Sequence, residues 1–274
     1  MNLLSIDPTL IAALLAMGCF AGFMAGLLGI GGGMLLVPAL TWLGTRAGFD
    51  AGYVVKMAVA TSLATIVFTA ISSVRAHHKR GAVRWDVVRR LAPGIVIGSL
   101  LGAQLVRGIP AGVLALCFAV FVGYSATQMF VDRKPKPSRQ LPGAPGMAGA
   151  GGAIGALSAL VGAGGGFVSV PFMVWCNVPI HAAVATSAAL GLPIALAGTA
   201  GHLLAASSVQ GAPAAAFGHI YLPALVLIAC ASVLFAPLGA WAAHKLDTRQ
   251  LKRIFAVMLY LLAAYMAWRA VALM

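Results

Sequence analysis

Apolar residues run along this chain in ten stretches separated by short polar breaks. In the first half they cover about 10–29, 33–44, 53–74, 90–106 and 111–130; in the second, about 147–161, 166–177, 180–203, 219–243 and 251–272. The long stretches approach or exceed the roughly 20 residues that a helix needs to cross a hydrocarbon core. Two of them, 33–44 and 166–177, are short. At about 1.5 Å per residue they reach only half of a ~30 Å core. Each short stretch follows a glycine triplet, Gly31-Gly32-Gly33 or Gly164-Gly165-Gly166, and each triplet is followed at the same distance by a proline, Pro38 or Pro171. The first two pieces of each half therefore form either a hairpin that turns near the membrane centre or two tilted spans.

The pattern is duplicated. Gly29 to Pro38 lines up with Gly162 to Pro171, Val59-Ala60-Thr61-Ser62 with Val184-Ala185-Thr186-Ser187, and Leu101-Gly102-Ala103 with Leu238-Gly239-Ala240. Three matched blocks in one order indicate two repeats, 1–131 and 147–274. Residues 132–146 form a linker too rich in proline and charge to lie in a bilayer. The basic residues choose the orientation. The loop from Arg75 to Arg90 is strongly basic and its counterpart around Ala205 to Phe217 carries no basic residue, whereas the loop at Arg107 is nearly bare and its counterpart carries Lys245, Arg249, Lys252 and Arg253. Opposite orientation of the two repeats places 14 of the 18 basic residues on one side, as the positive-inside bias requires. The expectation is an all-α polytopic membrane protein of two inverted-topology repeats with glycine-broken helices, 8–10 membrane helices or half-helices in all, and both termini outside. Such repeats place a solute site between the halves, near the midplane.

Composition narrows the class. The chain of 274 residues is 61% hydrophobic and 8% charged, with a mean hydropathy of +0.99, against about 25% charged residues in soluble domains. No basic residue precedes the first apolar run, which reads as a retained helix. The net charge of +13 lies in loops between apolar runs, which argues for positive-inside topology and against nucleic-acid binding. The cysteines Cys19, Cys117, Cys176 and Cys230 are scattered singly and suggest neither disulfides nor a metal site.

These blocks resemble the sulfite exporter TauE/SafE family of bacterial membrane proteins. The resemblance is carried by Gly26 to Gly33 with Pro38, by Ala60-Thr61-Ser62, by Gly162 to Pro171 and by Ala185-Thr186-Ser187, and it runs over nearly the whole chain. It implies a multi-pass protein of the cell inner membrane that moves sulfite, a sulfonate or a related organosulfur anion.

The residues themselves suggest how an anion would be held. Gly31, Gly32, Gly33, Gly164, Gly165 and Gly166 offer main-chain N–H groups and permissive dihedrals. A helix starting after each triplet points unpaired N–H groups and a positive dipole end into the break, and such ends bind oxyanions. Thr61, Ser62, Thr186 and Ser187 add hydroxyl donors. Their alternative use is to bond back to their own helices, and that of the glycines is close helix packing. Ser169 faces Leu36 in the repeat alignment and would make the site asymmetric. His77 matches His202, but no histidine spacing suggests a metal. No cofactor is expected, no serine has an evident catalytic base, and the expected partners are a small anion and lipid, with homo-oligomerisation open. Carboxylates often couple ions within membranes, and none is evident here. An anion leaving a cell with a negative interior gains about 2.3 kcal/mol per charge per 100 mV, which favours an exporter. The rival readings are a metal or cation permease using the histidines and a non-transporting membrane assembly subunit.

Overall fold

A computed structural model describes residues 8–29, 32–131, 139–205, 212–213, 215–245 and 248–274. Among these residues ten helices follow the ten apolar stretches: α1 (Pro8–Leu28), α2 (Gly33–Arg46), α3 (Ala51–His78), α4 (Trp85–Gly108), α5 (Ala111–Val131), α6 (Ala144–Val161), α7 (Gly166–Trp175), α8 (Ile180–Ala205), α9 (Leu222–Lys245) and α10 (Thr248–Leu273). A two-residue hairpin, β1 (Ala216–Phe217) with β2 (Ile220–Tyr221), precedes α9. The helices overrun their apolar stretches. Asp50 starts α3 by accepting the N–H groups of Gly52 and Tyr53 at 2.9 and 3.0 Å, a side-chain N-cap. The same helix continues through Arg75, His77 and His78, and the Arg75 cation suits its negative C-terminal end.

Eight of the helices are long and apolar enough to cross a membrane; α2 and α7 are not among them. α3 and α8 are the most enclosed. The outer helices turn apolar side chains outward, with Leu105, Val120, Leu234 and Leu261 60–70% exposed. Such a belt is costly in water, at about 25 cal/mol per Å², and at home against lipid. The protein is an all-helical, multi-pass membrane protein.

The main packings join the two halves. Gly18, Gly22 and Gly26 of α1 lie against Ile228, Ser232 and Ala236 of α9, so these helices run parallel. Gly94, Gly98 and Gly102 of α4 lie against Ala148, Gly152 and Ala156 of α6, also in parallel. Small residues every fourth position let the backbones touch, the usual means of association where lipid removes the hydrophobic driving force. The first helix of each half is thus seated on the fourth helix of the other. By contrast α3 and α8 run antiparallel, Leu63 meeting Gly198 and Ala70 meeting Gly191. So do α5 and α10, with Gly112 near Ala270 and the Thr127 hydroxyl near that of Tyr260.

Both helix pairs at the breaks are hairpins. Leu43, Gly44 and Ala47 at the end of α2 share a small cavity with Leu10 and Leu14 at the start of α1. Trp175, the last residue of α7, accepts the Arg139 N–H at 3.3 Å, and the Arg139 guanidinium lies 4.7 Å over its ring, just ahead of α6. In each pair the end of the short helix thus returns beside the start of the long one, α2 beside α1 and α7 beside α6.

Candidate functional site

Each hairpin turns through glycines in the left-handed region. Gly32 and Gly165 are the N-cap residues of α2 and α7, with φ of 73° and 77°. An L side chain is strained there. Neither helix start carries a side-chain cap, so their first N–H groups keep the polarity that an anion recognises. The two turns touch: Gly33 packs so closely on the Gly162 carbonyl that a Cβ would collide with it. The Gly164 carbonyl approaches Gly191 of α8, and Gly166 opens α7. Gly31 lies outside the described residues, so the first triplet is seen only through Gly32 and Gly33.

The four hydroxyl residues expected from the sequence are all fully buried, and they act as two symmetric pairs. Ser62 donates to the Gly162 carbonyl at 2.8 Å, and Ser187 to the Gly29 carbonyl at 2.9 Å. Each serine therefore holds the break of the opposite half. The threonines serve a different end. Thr61 accepts the Tyr221 N–H and Thr186 accepts the Arg84 N–H, both at 3.0 Å. Tyr221 and Arg84 directly precede α9 and α4, so each threonine caps the fourth helix of the other half. The symmetry fails at Ser169, which donates to Ser187 at 2.8 Å and makes a two-step chain to Gly29.

A cavity of about 10 Å³ lies beside the first break, lined by Ala25, Gly29, Thr69, Ala70, Ser73, Ala188 and Gly191. That is room for about one water. Because Gly191 also meets Gly164, the cavity adjoins both breaks. The buried Ser73 hydroxyl has no partner, and Thr69 Oγ1 shares a 2.6 Å hydrogen bond with Ser232 Oγ. Sequence reasoning missed these three residues. The signal was present for two: Thr61, Thr65, Thr69 and Ser73 recur every fourth residue on one face of α3, and His77 continues the stripe. Ser232 gave no such signal.

Four of the histidines are structural partners here. His77 Nε2 donates to the Gly26 carbonyl at 3.1 Å and His202 Nε2 to the Ala159 carbonyl at 3.3 Å, equivalent bonds in the two halves. His78 accepts the Trp85 indole N–H at 3.1 Å. His219, in the loop before α9, stacks on Tyr53 with ring centroids 5.6 Å apart. Burial, reinforced by the Lys56 charge, lowers its pKa from the usual 6.5. Gln104 donates to the Gly201 carbonyl at 3.0 Å, and Asn177 occupies a turn with φ 64°. Among the described residues no three His, Cys, Asp or Glu side chains gather as metal ligands.

Comparison with known proteins gives these features a family. The family model described as Sulfite exporter TauE/SafE matches residues 14–266. A "Probable membrane transporter protein" of Haemophilus influenzae is 35% identical over 94% of this chain and 98% of its own length. Proteins with similar names from Methanocaldococcus jannaschii and Bacillus subtilis are each 26% identical over 94% of this chain, covering 95% and 97% of their own lengths. No solved structure matches the chain. Paired glycine-broken hairpins, eight apolar helices and a match over nearly the full length lead to one conclusion: the chain belongs to the TauE/SafE sulfite exporter family of membrane transporters.

Proposed function

We propose that the protein exports a small sulfur-containing anion, sulfite or a short organosulfonate, across the bacterial inner membrane by alternating access between two inverted repeats. The observation that carries this reading is the mutual locking of the two breaks through Ser62 to Gly162 and Ser187 to Gly29. Each serine occupies a carbonyl that would repel an anion. The N–H groups at the starts of α2 and α7, after Gly32 and Gly165, carry no side-chain cap and remain to attract one. Thr61 and Thr186 use their oxygens as acceptors, so each hydroxyl proton remains available to an oxyanion. Ser73 and Thr69 extend the polar lining. The cavity is far smaller than a sulfite ion, so this arrangement is an occluded one, and carriage requires the hairpins to part.

Inversion of the repeats is supported by the antiparallel courses of α3 against α8 and α5 against α10, and by the seating of each first helix on the opposite fourth helix. In this reading the Arg75–Arg90 loop, the linker and the segment after α9 are cytoplasmic, and both termini are periplasmic. Export is favoured because no coupling carboxylate is needed for an anion that leaves downhill in potential.

Flux in proteoliposomes tests the proposal. Saturable movement of sulfite or a short sulfonate, with sulfate and thiosulfate as competitors, is the expected result. Currents driven by metal ions without anion movement favour a cation permease instead. A sealed, folded preparation that moves none of these solutes and co-purifies with a partner favours an assembly subunit.

A further inference from the structure

A groove of about 690 Å³ opens between α3 and α9, away from the breaks. Its floor is apolar, formed by Phe68, Ile71, Val233 and Pro237, and its rim carries Arg75, Lys79 and Arg80. Ser72 ties the helices together there by donating to the Val233 carbonyl at 2.7 Å. Among the described residues no carboxylate lines this groove, and the ion pair found nearby, Arg84 with Asp86 at 2.8 Å, does not contribute to it. The Arg80 guanidinium is steadied by the Ala76 carbonyl at 2.7 Å. Phe68, at the apolar end, is 46% exposed. From Phe68 to its last residue, His78, the helix rises about 15 Å.

We propose that this groove binds an anionic phospholipid, with its phosphate among Arg75, Lys79 and Arg80 and an acyl chain along Phe68, Ile71 and Val233. Two features select this occupant. Three cations without an acid demand negative charge, and guanidinium groups match phosphate oxygens. The apolar residues Phe68, Ile71, Val233 and Pro237 line the same opening as the cations, so the occupant must carry a hydrocarbon tail as well as a charge. Basic clusters at the ends of membrane helices are suited to such head groups. The assignment is independent of which solute the protein carries.

The test uses the full chain in nanodiscs containing phosphatidylglycerol and phosphatidylcholine in equal amounts, followed by native mass spectrometry of the retained lipid. Retention of phosphatidylglycerol at least about tenfold above phosphatidylcholine is expected. The triple variant Arg75→Gln, Lys79→Gln, Arg80→Gln loses that preference. A second variant, Val233→Trp, keeps the cations but fills the floor, and it too loses the lipid; it decides the matter alone if the triple variant does not fold. Equal retention of the two lipids by the unmodified protein overturns the proposal, as does a preference unchanged by Val233→Trp. Displacement of phosphatidylglycerol by inorganic phosphate also overturns it, because the groove would then be a site for soluble anions.

Discussion

Ser62 and Ser187 are single hydroxyls that each satisfy a carbonyl where a helix has been interrupted. Replacing either by alanine leaves a buried acceptor unpaired, at a cost of about 1–3 kcal/mol. Ser187→Ala is expected to lower the thermal midpoint more than Ser62→Ala, because it also strands Ser169; unfolding followed by intrinsic fluorescence in detergent checks the order. Thr61 and Thr186 accept the N–H groups of Tyr221 and Arg84, so Thr61→Val and Thr186→Val each leave a part-buried donor unpaired and should cost about 1–3 kcal/mol, while serine at either position restores most of it. His219 carries a pH dependence. Its folded pKa is depressed, so the unfolded chain binds more protons once the pH falls below about 6.5. Stability is full above that value and declines as the pH falls toward the depressed pKa. Melting scans between pH 8 and about 5 should show this loss, and His219→Phe, which retains the stack on Tyr53, should flatten it.

At the scale of the helix, the small-residue seams are more exacting than the apolar composition. Gly98 of α4 faces the Gly152 backbone with no space for a Cβ, whereas Gly149 of α6 has open space around it. Gly98→Val is therefore expected to part α4 from α6 and abolish recovery of monodisperse protein. Gly149→Ala should be neutral or add up to about 1 kcal/mol, since alanine is the better helix former. Gel filtration of the two variants gives the comparison. The overrun of α3 to His78 and the start of α4 at Trp85 show a second limit of hydropathy: it marks where a helix is apolar, while backbone hydrogen bonding carries the helix on into charged residues.

The whole molecule is built by exchange, with α1 on α9 and α6 on α4, around α3 and α8 at the centre. The proposed orientation makes a measurable claim. A cysteine at Lys79 and one at Phe217 should react with a membrane-impermeant maleimide from opposite sides, the former only after the inner face is opened. Reaction of both from one side would refute the inverted arrangement. Alternating access adds that cross-linking α2 to α7 should stop flux without unfolding the protein.

The sequence alone determined the helical segments and the glycine-rich starts of α2 and α7, because hydropathy and local backbone preference are read along the chain. It also singled out Thr61, Ser62, Thr186 and Ser187, since both copies carry them. Only the tertiary structure decided that the serines hold carbonyls while the neighbouring threonines cap helices. A hydroxyl's partner depends on the rotation of its helix and on which distant backbone that face meets: Ser62 and Gly162 lie 100 residues apart. Thr69 with Ser232, 163 residues apart, and the enclosure of the cavity beside Gly29 belong to the same class. They arise from the crossing of elements, and no periodicity in one dimension encodes a crossing.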